Sequence, residues 1–160
     1  RVRPSSASHS RKSFSASANP ASRGVNMSPT EIQHWDREAS RRFTYREDGA
    51  IDEWLSHADQ VLAGLPYSDD CDGLASTAIE LCCLAGLKEE NAYRLAVIAP
   101  NGEGHMVACA VDDDGRMWII GDTFGPAYRA EQMHHKPNIY RRLSDSVWRK
   151  GVPWTLENAA

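Results

Sequence analysis

Three residues of this chain could together activate a nucleophile: Cys71, His105 and Asp122. A thiolate attacks acyl carbons, an imidazole takes and returns the proton, and a carboxylate fixes the tautomer and aim of the ring. The pattern around Cys71 supports this use. Ser68-Asp69-Asp70 is a turn-like start, and Cys71, Leu74, Ala75, Ala78, Ile79 and Cys82 recur at helical spacing until Gly86. Cys71 therefore sits in the first turn of a helix, where backbone dipoles favour a thiolate and its own N–H can serve an oxyanion. Asp69, Asp70 and Asp72 oppose the thiolate by their charge, to be offset by a charged His105 or a bound cation; their ordinary role is to cap the helix.

Strand pairing should bring the other two groups together. Period-two segments at 93–99, 104–111 and 116–121 are separated by Pro100-Asn101-Gly102 and by Asp112-Asp113-Asp114-Gly115, both turn signals. This predicts an antiparallel three-strand meander. A four-residue loop at 112–115 sets His105 opposite Asp122, and a two-residue loop at 114–115 sets them diagonally. Either places both on one sheet face, whereas a one-residue bulge would separate them. If the Cys71 helix covers that face, the three groups lie in a row.

The elements before and after are simpler. Ser28-Pro29-Thr30-Glu31 is a capping-box helix start, followed by Ile32, Trp35 and Ala39 on one face. A second helix is expected over 51–63 from Ile51, Trp54, Leu55, Ala58, Val61 and Leu62. Leu143, Val147 and Trp148 suggest a short closing element. Residues 1–27 are Ser- and Ala-rich with few apolar groups, which predicts a disordered leader before one domain at 28–160. The leader matches a transit peptide in composition only; the alternative is an extended start with Met27 as the natural first residue.

Composition narrows the function classes. The first 29 residues hold five basic groups and no acid, leaving 13 basic against 22 acidic residues beyond them. A domain of net charge −9 repels phosphate backbones, which argues against nucleic-acid binding. No apolar run reaches the roughly 20 residues of a membrane span. Cys82, Cys83 and Cys109 read as small buried hydrophobes. His134-His135 reads as a solvated loop, His34 and His57 as polar helix positions, His9 as part of the leader, and the tryptophans as core anchors. No secretory signal is present, so a cytoplasmic or phage-associated protein is expected.

The chemical residues also carry a resemblance. Asp70-Cys71-Asp72-Gly73-Leu74-Ala75 resembles the Gly-Asp-Cys-Glu-Asp-Tyr-Ala helix start of the bacterial transglutaminase-like cysteine proteinases. Gly102-Glu103-Gly104-His105-Met106-Val107 is similar to their Gly-x-Gly-His-Ala-Val strand, and Ile119-Ile120-Gly121-Asp122 to the strand ending in their catalytic Asp. The resemblance spans about 65–123. It implies an α+β fold with a papain-like, transglutaminase-like core: N-terminal helices and a Cys-bearing helix on a small antiparallel sheet. It further implies a thiol hydrolase that cleaves peptide bonds through an acyl-enzyme, with Cys71 as nucleophile, His105 as base and Asp122 as orienter. Some members bind calcium through acids flanking the cysteine, which here are Asp70 and Asp72; this chain has Asp72 for their Glu and Gly73 for their usual Asp. No other cofactor is expected, and the partner is a peptide or protein substrate. The alternatives are acyl transfer to an amine, or a non-enzymatic phage or bacterial accessory protein that retains the fold.

Overall fold

The computed structural model describes residues 27–49, 54–145 and 147–155. Its first helix, α1 (Pro29–Arg41), begins as its residues dictate: Ser28 accepts the Glu31 N–H, and the Glu31 carboxylate accepts the Ser28 N–H at 2.9 Å. The expected leader lies outside the described residues except for Met27. That side chain is buried in the core and its carbonyl accepts the Asp113 N–H at 2.9 Å, so the residue before the cap is part of the packed domain.

After α1 come β1 (Phe43–Tyr45), α2 (Ala58–Leu62), β2 (Tyr67–Asp69) and α3 (Cys71–Leu84). Strands β1 and β2 form a parallel pair. The second helix is shorter than its apolar pattern predicts: 51–53 fall outside the described residues, and 54–57 are not helical. Tertiary partners take over there. The His57 N–H goes to Thr77 Oγ1 on α3, and Trp54 packs edge-on against Trp148 at 5.7 Å.

The sheet follows as β3 (Ala92–Ile98), β4 (Gly104–Val111), β5 (Met117–Ile120), β6 (Tyr128–Arg129), β7 (Lys136–Arg142) and β8 (Arg149–Lys150). Its order is β6-β5-β4-β3-β7-β8, with every neighbouring pair antiparallel. The expected meander is its centre, and the tail adds β7 to the free edge of β3. Helix α3 lies against one face. Leu74, Ala75, Ala78 and Ile79 pack with Met106, Ala108, Ala110 and Ile120, while α1 covers the helix from outside with Ile32 and Ala39. The opposite face carries Leu95, Val97, Val107, Cys109, Ile119 and Tyr140, with Val152 packed against them. Both faces are therefore dry, and the alanines let helix and sheet approach closely.

Register departs from both loop expectations. Val111 pairs with Met117, so the connection is the five residues 112–116, held by Asp112 Oδ1 on the Asp114 and Arg116 N–H groups. Continued, that register would put Asp122 opposite Met106, on the other face from His105. The chain escapes this at Gly121. Strand β5 stops at Ile120, and Gly121 takes φ +62°, turning Asp122 back toward His105. A side chain at 121 would be strained by that φ, and its Cβ would lie 2.6 Å from the Ala75 Cα.

Candidate active site

Cys71 opens α3, and the Asp70 side chain caps it by accepting the Asp72 N–H at 3.0 Å. The thiol is half-buried and lines a cleft of about 210 Å³ with Tyr45, Glu103, His105, Thr123 and Phe124. A second cavity of about 240 Å³ lies beyond Thr123 and is bounded by Arg37, Phe43, Leu74 and Pro126. Of the other thiols, Cys82 and Cys109 are closed off and burial pushes them far up; Cys83 is half-buried, contrary to its reading as a buried hydrophobe, but lies outside the cleft and is pushed up to about 11.

His105 is the second residue of β4, on the face opposite α3. Its meeting with Cys71 therefore differs from the expected stacking of the helix over the histidine. Helix start and strand start share one end of the sheet, and the two side chains line the same cleft there. His105 Nε2 donates to Asp122 Oδ1 at 2.9 Å, so Nδ1 is not engaged by that carboxylate. Burial works against charge on this ring. The Asp122 hydrogen bond and the Cys71 side chain outweigh it and raise its pKa to about 9.

Asp122 is buried and receives four donors. Oδ1 accepts from His105 Nε2 and the Phe124 N–H (3.0 Å); Oδ2 accepts from the Tyr128 hydroxyl (2.8 Å) and His135 Nε2 (2.7 Å). Burial alone would raise this carboxyl, but those bonds hold it well below the usual carboxylate range. The loop that carries it is tied to α1: buried Asp36 accepts the Gly121 N–H at 2.7 Å and the Ala127 N–H at 2.8 Å.

All three residues singled out by spacing thus come together, and the structure adds three others. His135 is fully buried, contrary to the solvated-loop reading, which holds for exposed His134 alone. A His-His doublet 13 residues beyond the carboxylate was its one trace in the sequence. Asp36 left no such trace, because its partners lie 85 and 91 positions away; Tyr128 lies six positions from Asp122, but nothing local in the sequence marks its hydroxyl as a donor to that carboxylate. His57, read as a polar helix position, precedes α2 and bonds Asp69 through Nε2 at 2.6 Å.

A hard-cation donor set lies beside the cysteine. Asp48, Asp69, Asp70 and Asp72 each bring one carboxylate oxygen within 4.8 Å of the others. Asp69 sits there because position 73 is glycine: a Cβ at Gly73 would lie 2.2 Å from the Asp69 carboxylate. The Asp69 carboxylate, supplied from β2, fills the space that a side chain at 73 would need.

Neither protein-family models nor curated proteins match the chain. Solved structures do. Calcium-bound Legionella pneumophila LapG superposes with a TM-score of 0.56 at 18% identity, over 78% of this chain and 72% of that one. A further LapG structure gives 0.53 at 18% identity over 80% and 74%, and an EGTA-treated form 0.51 at 18% over 76% and 72%. This chain has a papain-like, transglutaminase-like fold. At that identity the likeness speaks for the transglutaminase-like architecture, and the chemistry has to be argued from this chain's own side chains. Among the described residues no helix is long and apolar enough to cross a membrane.

Proposed function

We propose that the protein is a transglutaminase-like cysteine peptidase that hydrolyses peptide bonds through Cys71, His105 and Asp122. The observation that carries this is the histidine held between a cleft-facing thiol and a carboxylate saturated with donors. His105 Nδ1 takes the Cys71 proton, and the thiolate attacks the substrate carbonyl carbon. The resulting oxyanion lies near the start of α3, where the Cys71 N–H is among those the helix leaves without an acceptor. Imidazolium Nδ1–H then protonates the leaving nitrogen, the C–N bond breaks, and a thioester remains. Water gives a proton to His105 and attacks the thioester, releasing a carboxylic acid and restoring the thiol. Through each transfer Asp122 stays ionised and keeps the ring aimed. The two cavities share Thr123 in their linings, and a substrate extended to both sides of the scissile bond could use both.

The acidic group fits calcium, since four carboxylate oxygens and no nitrogen or sulfur suit a hard cation. Asp48, Asp69, Asp70 and Asp72 would hold it. It would neutralise the negative charge around Cys71 and brace the helix start.

Iodoacetamide labelling at neutral pH, mapped by mass spectrometry with and without EGTA, followed by turnover of a peptide library, tests the reading. Selective modification of Cys71 and cleavage lost in Cys71→Ser are expected. Equal labelling of all four cysteines, or no acylation by any peptide, would leave only the non-enzymatic reading. Products joined to an added amine would instead place the acyl transfer ahead of hydrolysis.

A further inference from the structure

The second imidazole at Asp122 has no part in that mechanism, yet it makes the shorter of the carboxylate's two histidine contacts, 2.7 Å against 2.9 Å. We propose that His135 is a positioning residue of the catalytic group: it locks the Asp122 carboxylate so that Oδ1 stays presented to His105. The inference rests on the peptidase reading and extends it to a fourth side chain.

A carboxylate turns easily about its Cβ–Cγ bond, so its aim is decided by the donors on both oxygens. Oδ1 has His105 and a backbone N–H; Oδ2 has only side-chain donors, His135 and Tyr128. His135 is the more constrained of these two, with no side-chain exposure, so water cannot take its place. Its tautomer follows from its partner. An ionised carboxylate only accepts, so Nε2 carries a proton. Nδ1 is buried and has no hydrogen-bond partner among the described residues. A lone pair tolerates that dry setting better than an N–H would, so the proton stays on the nitrogen that faces Asp122. The ring also backs the base directly, with its centroid 4.9 Å from that of His105. His135 does not line the Cys71 cleft, so it acts through Asp122 and not on the substrate.

The charged and titratable groups around this centre come from every side: Cys71 from α3, His105 from β4, Tyr128 from β6, and Asp36 from α1. A change at 135 should therefore be read at His105 itself. The test compares His135→Gln, whose amide nitrogen reaches about as far as Nε2, with His135→Asn, which has the same polarity but stops short. The readouts are the His105 titration by imidazole NMR, the iodoacetamide rate of Cys71 at pH 7, and circular dichroism. Gln should stay within about threefold of the unaltered protein in rate. Asn should slow alkylation roughly tenfold and lower the His105 midpoint by about one pH unit, while its fold is retained. Equal behaviour of Gln and Asn in folded protein overturns the inference. If Asn fails to fold, the unaltered protein decides alone: a slowly exchanging, far-downfield His135 Nε2–H supports the lock, and a proton on Nδ1 refutes it. Absence of selective Cys71 labelling in the unaltered protein would sink the peptidase reading instead, and so separates the two failures.

Discussion

Replacing Asp122 by Asn removes one charge and reverses half of the group's hydrogen-bonding sense. Four donors converge on the carboxylate, two on each oxygen, and an amide offers acceptance on one side only. With its NH2 toward Oδ1's place, it meets the fixed Phe124 N–H and forces the His105 proton onto Nδ1, the nitrogen needed to take the thiol proton. With its NH2 toward Oδ2's place, Tyr128 can turn its hydroxyl, but His135 must move its proton to a buried Nδ1 that lacks a partner. Either flip should cost about 2–4 kcal/mol, given that charge-assisted bonds contribute about 1.5–3 kcal/mol each and unpaired buried donors about 1–3 kcal/mol. For a domain of this size that is a fall in Tm of roughly 10 °C. The electrostatic part can be read separately. A His105 pKa of about 9 against an ordinary value of about 6.5 is at most about 3–4 kcal/mol of preference for the charged ring, shared between Asp122 and Cys71. In Asp122→Asn the midpoint should fall below about 7.5, and turnover should drop to about 10⁻⁴ of the original by analogy with serine triads. Imidazole NMR titration, calorimetry and peptide turnover on one preparation measure all three. A His105 midpoint that stays within half a unit of the unaltered protein would refute the electrostatic reasoning.

Stability should also report on His105 in the intact protein. Its folded pKa is raised to about 9, so its contribution is fully present below about pH 6.5 and is lost as pH rises through 9; denaturant midpoints between pH 6 and 10 should show this, and His105→Gln should flatten that limb. Gly121→Ala should destabilise by about 2–4 kcal/mol, because it combines φ +62° with a Cβ 2.6 Å from the Ala75 Cα; a urea midpoint unchanged from the parent would contradict this. Calcium at about 1 mM should raise Tm, EGTA should reverse the rise, and Asp70→Asn or Asp69→Asn should weaken it, read by calorimetry without any substrate. Asp36→Asn should lose one of its two backbone bonds and cost about 1–3 kcal/mol, with turnover slowed as the Asp122 loop loosens; equal stability and rate would show that the loop holds itself.

Local sequence was sufficient wherever the cause is local. The capping box of Ser28 and Glu31, the helix that opens at Cys71, the three central strands and the candidate nucleophile, base and carboxylate were all legible, because capping, periodicity and turn residues act within a few positions. The fold class was legible through the resemblance that the residues around Cys71, His105 and Asp122 carry. The juxtaposition of His105 and Asp122 was expected for a reason the structure corrects. Side-chain parity across a hairpin would have parted them in the observed register, and they meet through the turn at Gly121. Residues 54–57 were misread as helix because an apolar pattern does not reveal that the His57 N–H has a partner in Thr77, 20 positions away. Asp36, Tyr128 and His135 belong to the same class of miss. Each is a polar side chain whose role is set by what it faces after α1, the sheet and the C-terminal strands have packed together. Periodicity carries the direction of apolar faces. It does not carry the identity of the donor that closes on a buried oxygen from a remote segment, and only the tertiary structure decides that.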